Sequence, residues 1–159
     1  MADYFIAAVS IVLVAEGVFS DDAKDPGGET VYGIARAAHP DLLPWPPSKD
    51  EAIEVYRTEY WQKNRCGDLP WAWALVLFDG CVNQGSVVKL AQTTLGLRAD
   101  GVVGDATIDA MRIAPAELLN LFFAGRALAY MALSGFPTFG KGWLKRLFNM
   151  RAQCAVAPS

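Results

Sequence analysis

The segment ADYFIAAVSIVLVAE, residues 2–16, decides how the rest of the chain is interpreted. It is rich in Ile, Val and Ala, and apolar residues occupy most faces of the helix that it would form. A helix that is apolar on nearly all sides is normally buried in the middle of a domain. We therefore expect residues 2–16 to form a central helix on which the other elements pack.

The composition of the chain fits one small globular domain. It has 159 residues, of which 53% are hydrophobic and 19% charged, and its formal net charge is −3. This length usually gives a single domain, and this apolar fraction excludes a disordered or low-complexity protein. Because proteins that bind nucleic acid normally carry a surplus of basic residues, the acidic balance argues against such a partner. We expect a monomer.

Helical patterns dominate beyond residue 33. Ser48 and Glu51 form a capping box at the start of an amphipathic helix. The segments predicted to be helical are residues 49–64, 70–84, 86–96, 106–113, 115–134 and a last one from 142 or 143 to about 154. Residues 17–33 are rich in Asp, Gly and Pro instead, which favours turns with two short strands around residues 30–32. The sequence predicts a mainly α single domain with a small irregular or β-hairpin N-terminal lobe.

Charge is distributed unevenly along the chain. Residues 1–60 contain eleven acidic and four basic residues. After Glu117 there is no acidic residue, and the basic residues are Arg126, Lys141, Lys145, Arg146 and Arg151. Two interpretations stay open: a solvated basic face of the last helix, or a surface around residues 143–151 that contacts an anionic polymer or membrane.

The cysteines and the first segment bear on the compartment. Cys66, Cys81 and Cys154 are odd in number and lack the spacing of a metal site, which indicates free thiols in a reducing environment. The apolar run over residues 4–15 follows an acidic residue and precedes no small-residue cleavage pattern, so we expect no signal peptide. We expect the protein to be made and held in the cytoplasm.

Glu16 is the first candidate for chemistry, because it ends the apolar segment. Partial desolvation and the negative end of the helix dipole both disfavour a carboxylate anion, so we expect a raised pKa for Glu16. A carboxyl with a raised pKa is suited to general acid catalysis near neutral pH. The alternative is an exposed glutamate at a helix end.

Asp25 and Thr30 follow Glu16 in the turn-rich segment, where a turn would bring them opposite Glu16 across a cleft. Hydrolysis of a glycosidic bond needs a protonated carboxyl at the leaving oxygen and a polar group or carboxylate on the other side. Asp25 precedes a proline, so the alternative role for it is in an Asx turn.

Several motifs in this chain occur together and in a fixed order. They are Glu16-Gly17, DPGGETVYGI (25–34), Tyr60-Trp61, Leu77-Phe78-Asp79 with VNQG (82–85), DGVVG (100–104) and GWLKR (142–146). In this order, and over nearly the whole chain, they resemble glycoside hydrolase family 108, the phage endolysin and autolysin lysozymes. The resemblance implies a lysozyme-like fold and a peptidoglycan hydrolase without a cofactor or metal.

The same resemblance implies roles for individual residues. Glu16 matches the catalytic glutamate of the family's Glu-Gly-Gly-Tyr motif, and Glu16, Asp25 and Thr30 resemble the glutamate, aspartate and threonine set of phage-type lysozymes. Residues 1–85 would be the catalytic part, and 86–159 an integrated helical part similar to a peptidoglycan-binding region. A phage protein of this kind would stay in the host cytoplasm until its release to the periplasm and cell wall.

Aromatic and amide side chains are the candidates for binding amino sugars, by stacking and directional hydrogen bonds. They are Tyr32, Tyr60, Trp61, Asn83 and Gln84. The alternative for Tyr60 and Trp61 is core packing, and the alternative for Asn83 and Gln84 is a helix C-terminus. The remaining large aromatic residues, which we assign to the core or an interface, are Trp71, Trp73, Trp143 and Phe148.

Three functions stay open at this point. The first is a muramidase, a hydrolase of the β-1,4 bond between N-acetylmuramic acid and N-acetylglucosamine, and the second is a lytic transglycosylase on the same bond. The third is a non-catalytic wall-binding or secretion-assisting protein, which Val18 and Phe19 favour, because the family usually has Gly and Tyr there. A zinc site or serine triad is disfavoured because His39 is the only histidine. Cys66 or Cys81 as a nucleophile stays open.

Overall fold

The computed structural model describes residues 4–16, 19–20 and 29–158, with the side chains of residues 15, 16, 19 and 20 left out. Its α-helices within these residues are α1 (Phe5–Glu16), α2 (Lys49–Val55), α3 (Trp71–Asn83), α4 (Val87–Thr94), α5 (Asp105–Ile113), α6 (Ala116–Met131) and α7 (Phe136–Gln153). Its strands are β1 (Phe19–Ser20), β2 (Thr30–Val31) and β3 (Ile34–Ala35). The mainly α class with a small β lobe is confirmed. None of the helices in these residues is long and apolar enough to cross a bilayer.

The central helix of the fold is α3, and not α1 as the first segment predicts. Every residue from 73 to 80 is buried, and α3 packs against α1, α4 and α7. In α1, by contrast, Ile6 and Val14 are exposed, because only one face of this apolar helix has a partner among the described residues. The two helices meet through Phe5 and Phe78, whose ring centroids are 6.1 Å apart.

The β lobe is a three-stranded antiparallel sheet in the order β1-β2-β3. Phe19 pairs with Val31 and Ser20 with Thr30, so β1 brings the end of α1 back to β2. Tyr32 and Gly33 join β2 to β3 with φ of 51° and 77°. Two positive φ values in a two-residue connection define a type I′ hairpin turn, which glycine adopts freely and tyrosine does not.

The predicted helix over residues 49–64 has two parts. Its start is as expected: Ser48 Oγ accepts from the Glu51 amide at 3.2 Å, and the Glu51 carboxylate accepts from the Ser48 amide at 2.7 Å. From Tyr56 to Gln62, however, the helix is a π-helix. This wider helical form is rare, and the hydrophobic spacing does not distinguish it from an α-helix.

The last helix begins at Phe136, six residues before the predicted start at Gly142. The glycines and proline of this segment suggest a loop, but Pro137 lies in the first turn, where a missing amide is harmless. Gly140 allows the Phe136 ring to pack closely, since a Cβ there would lie 2.6 Å from that ring.

Of the aromatic residues assigned to core or interface, Trp71 and Trp73 are buried. Trp143 is half-buried and stacks on Tyr130 at a centroid distance of 5.3 Å. Phe148 is not in the core, because 74% of it is exposed.

Candidate active site

The three residues predicted to carry the chemistry belong to the junction of α1 with the β lobe. Glu16 is the last residue of α1, and Thr30 begins β2 opposite Ser20. Asp25 lies outside the described residues, as does the side chain of Glu16. Three Cα–Cα steps separate Glu16 from β1, so its Cα lies at most about 11 Å from that of Phe19. Glu16 and Thr30 therefore belong to elements that adjoin each other.

Tyr32 lies at the turn of the hairpin and faces α1 and α2. It lines a groove of about 500 Å³ together with Leu13, Val14 and Ile53. Its backbone carbonyl accepts a hydrogen bond of 2.9 Å from the Tyr56 hydroxyl. This bond ties the hairpin turn to the π-helix, so Tyr32 is held beside the last turns of α1.

A second cleft, of about 390 Å³, lies between the π-helix and the start of α4. Tyr60 and Gln84 both line it, so the structure brings these two predicted residues together. Lys63, Asn64 and Lys89 add polar groups that the sequence analysis did not identify. Lys63 and Asn64 lie three and four residues after Tyr60, and residues at this spacing share one side of a helix. The sequence could therefore have indicated that these two residues lie near Tyr60.

Trp61 does not join that cleft. It is buried, with 4% exposed, and packs edge-to-face on Phe5 and Phe78 at centroid distances of 5.6 and 5.4 Å. Core packing, the alternative considered for Trp61, is what the structure shows. Its role in sugar stacking is not supported, because a ring enclosed by two others offers no free face.

Asn83 and Gln84 are held by bonds inside the protein. The Asn83 amide donates to the Asp79 carbonyl at 2.8 Å, as expected near the end of a helix. Gln84 accepts from the Arg126 guanidinium and donates to the Arg126 carbonyl at 3.1 Å. The Gln84 side chain is thus fixed on one side by α6, while the residue forms part of the cleft on the other.

The arginine that holds Gln84 belongs to a buried charged cluster. Asp79 is fully buried in α3, and its Oδ2 lies 2.8 Å from Nη2 of Arg126, which is also fully buried. Its Oδ1 lies 2.7 Å from Nη2 of Arg146. The position of Asp79 within the apolar run of α3 could have indicated a buried charge. Its partners could not be identified from the sequence, because they lie 47 and 67 residues away. This cluster joins α3, α6 and α7 behind the cleft.

Thiol and metal chemistry find no support in the described residues. Burial raises the pKa of the Cys66 thiol well above its usual range and that of Cys81 to about 12, so both are protonated at neutral pH. A protonated thiol is a poor nucleophile. No group of His, Cys, Asp and Glu within residues 4–16, 19–20 and 29–158 is arranged to hold a metal ion.

Comparison with known proteins defines the class. Among solved structures, one titled "Structure of Brucella abortus SagA" matches with a TM-score of 0.84 and 31% sequence identity, covering 95% of this chain and 93% of that chain. A family model described as Glycosyl hydrolase 108 matches residues 9–85. No curated protein matches the chain significantly. The fold and these matches define a lysozyme-like glycoside hydrolase.

The chain belongs to the glycosyl hydrolase 108 family. The resemblance inferred from the motifs is therefore confirmed, and so is the expectation of a glycoside hydrolase. Membership in this family indicates peptidoglycan as the class of substrate. The matched segment contains Glu16, Asp25 and Thr30 as well as Tyr60 and Gln84.

Proposed function

We propose that this protein is an N-acetylmuramidase that hydrolyses the β-1,4 bond between N-acetylmuramic acid and N-acetylglucosamine, with Glu16 as the general acid. The observation that carries the proposal is the place of Glu16 in a family 108 chain: it ends α1, where the chain enters the β lobe. In hydrolysis of this kind, one carboxylic acid protonates the oxygen of the leaving sugar.

Asp25 and Thr30 act on the other side of the scissile bond. They position the attacking water or stabilise the positive charge that develops on the sugar ring. The pairing of Thr30 with Ser20 supports this assignment, because it anchors β2 to the strand that follows α1.

The sugar chain binds along two grooves, one beside the π-helix and one beside α1. Tyr60 offers a half-buried ring, and Asn64 and Gln84 offer amide groups in the cleft of about 390 Å³. Aromatic faces with a few fixed amide groups suit N-acetylated amino sugars. Tyr32 serves the same purpose in the groove beside α1.

Three other carboxylates in or near these grooves have to be considered as the acid. Asp100 lines the cleft of about 390 Å³, but hydrogen bonds from the Val102 amide and the Gln92 side chain lower its pKa, which does not suit a proton donor. Asp79 is unsuited, because it is fully buried and both of its oxygens are occupied by guanidinium groups. Glu59 lines the cleft of about 390 Å³ and lies 3.4 Å from Nδ1 of His39. Glu59 is therefore the alternative that an experiment has to exclude.

The test compares three glutamine variants on purified peptidoglycan. Glu16→Gln keeps the shape of the side chain and removes the proton, so we expect a loss of about 10²- to 10⁴-fold in the release of reducing ends. Glu59→Gln should retain most of the activity, and Glu117→Gln at the start of α6 is the matched control. Full activity of Glu16→Gln would show that Glu16 is not the acid, and a large loss in Glu59→Gln alone would assign that role to Glu59.

Mass spectrometry of the released sugars tests the reaction type in the same samples. Hydrolysis adds one water per bond cleaved, whereas a lytic transglycosylase gives anhydro products lighter by one water molecule. Binding to insoluble peptidoglycan without any soluble product would identify a wall-binding protein instead. The phage endolysin context, with the protein held in the host cytoplasm until release, is part of the same proposal.

A further inference from the structure

The outer surface of α6 and α7 carries large apolar side chains in contact with solvent. On α6, Leu121, Leu128 and Met131 are 60, 66 and 55% exposed, and on α7 Phe148 is 74% exposed. Large contiguous apolar patches on soluble proteins commonly mark surfaces that contact a membrane, a ligand or another protein. The exposed apolar side chains of α6 and α7 therefore indicate a binding surface.

These side chains belong to one continuous face. On α6 the exposed residues Leu121, Ala124, Leu128 and Met131 recur at spacings of three and four, which places them on one side of the helix. On α7 the exposed residues Lys141, Lys145 and Phe148 do the same. We call these seven residues the α6–α7 face.

The two helices are joined beneath this face. A shallow cavity of about 300 Å³ between them is lined by Ala124, Ala127 and Leu144 among others. At one end, Arg151 Nε donates to Asn120 Oδ1 at 2.9 Å. The exposed apolar side chains therefore project from a packed helix pair.

The charge around the face is positive, although less so than the sequence alone indicates. Two of the five basic residues after Glu117, Arg126 and Arg146, bind the buried Asp79. Lys141 and Lys145 are on the face, and Arg151 is beside it. No acidic residue follows Glu117, which is exposed in the first turn of α6 at one end of the face.

We infer that the α6–α7 face docks on an anionic lipid surface. Projecting apolar side chains flanked by lysine and arginine suit the boundary between headgroups and acyl chains, with the cations at the level of the lipid phosphates. A second copy of the chain fits less well, because self-association through this face would bring its cations together. In this orientation Leu128 and Phe148, the most exposed large apolar side chains of α6 and α7, point toward the lipid.

The experiment measures sedimentation of the protein with vesicles. Vesicles of phosphatidylglycerol and phosphatidylcholine in equal parts are compared with vesicles of phosphatidylcholine alone. Since each basic residue near an anionic surface contributes about five-fold to binding, we expect K141Q/K145Q/R151Q to weaken it about 100-fold. The matched control is R36Q/R98Q/R112Q, which removes the same charge elsewhere and should weaken binding far less.

A second pair of variants tests the apolar contact. Phe148→Ser and Leu128→Ser should each weaken binding about ten-fold or more, because each removes one apolar side chain that the lipid would cover. Circular dichroism and release of reducing ends from isolated peptidoglycan should be unchanged in all these variants, which shows that they fold.

Four results would overturn the inference. The first is equal sedimentation with both kinds of vesicle, and the second is equal weakening by the two charge triples. The third is binding that does not respond to Phe148→Ser or Leu128→Ser. The fourth is a dimer in solution that Phe148→Ser dissociates, which would assign the face to a second copy of the chain.

Discussion

Two acidic residues, Asp79 within α3 and Glu16 at the end of α1, belong to different regions of this molecule, the helical core and the junction with the β lobe. Asp79 is enclosed by three helices and bound by two arginines. Glu16 ends a helix whose outer side is exposed at Ile6 and Val14, and the chain then enters strands of two residues each. The helical region buries a charged residue completely, whereas the β lobe is held by strand pairs of only two residues each.

We infer from this difference that Asp79 contributes to the stability of the fold and Glu16 to catalysis. A carboxylate whose oxygens are both bound inside the protein contributes to the fold and has no access to substrate. The general acid that we propose, Glu16, has to reach the substrate instead. Substitutions at Asp79 should therefore act on the free energy of unfolding, and substitutions at Glu16 on the rate of cleavage.

The largest effect on stability is expected for Asp79→Asn. Removing one partner of a buried ion pair leaves uncompensated charge, here two guanidiniums, and typically costs about 3–5 kcal/mol of unfolding free energy. Urea unfolding followed by circular dichroism measures it. Asp109→Asn is the control, because its surface pair with Arg112 at 3.5 Å should contribute less than about 1 kcal/mol. A loss at Asp79 no larger than that of the control would contradict the comparison.

A smaller, pH-dependent effect is expected for Cys81, two residues beyond Asp79. Its pKa is raised from 9.0 to about 12 by burial, so the folded state keeps the thiol protonated where the unfolded state ionises. The resulting stability is fully present below pH 9 and is lost as the pH rises toward 12. At about pH 10 the loss should be about 1–2 kcal/mol.

The measurement is the urea midpoint of the wild type and of Cys81→Ala across this range. The variant lacks the thiol, so its stability should fall less steeply with pH, while the other titrating groups are common to both proteins. Parallel curves would show that the pKa of Cys81 is not raised in the folded protein.

The smallest effect is expected beside the β lobe, for Ser48→Ala at the start of α2. Loss of an N-cap typically costs about 1 kcal/mol. Hydrogen bonds with Ser48 also lower the pKa of Glu51. The stabilisation that comes from the ionised Glu51 carboxylate is therefore present above pH 4.5 and is lost as the pH falls below it. Thermal unfolding at neutral and acidic pH measures both effects, with Ser134→Ala as control. A cost equal to that at Asp79 would remove the contrast between the regions.

The sequence predicted local features well and distant ones poorly. The capping box at Ser48 and a short strand that begins at Thr30 depend on residues a few positions apart, and both are present. The start of α7 was missed because Gly140 serves a packing contact with Phe136 that no propensity reveals. The pairing of Asp79 with Arg126 and Arg146 was missed because it joins three separate helices.

The candidate site shows the same limit. Tyr60 and Gln84 do meet at one cleft, but Trp61 next to Tyr60 is in the core. Adjacent residues of a helix point in different directions, so the rings of Tyr60 and Trp61 cannot both face the cleft. The sequence alone did not show which of them faced inward. Lys63, Asn64 and Lys89 became candidates only once the cleft was defined.

The π-helix at Tyr56–Gln62 has a consequence for how this chain can vary. An α-helix turns by about 100° per residue, and a π-helix turns by less. The π-helix therefore determines the direction in which each side chain of this segment points. Removing a single residue here would restore regular winding and rotate the Tyr60 side of the helix away from its cleft. Homologous chains that differ in length by one residue in this segment should therefore present a different wall to the glycan.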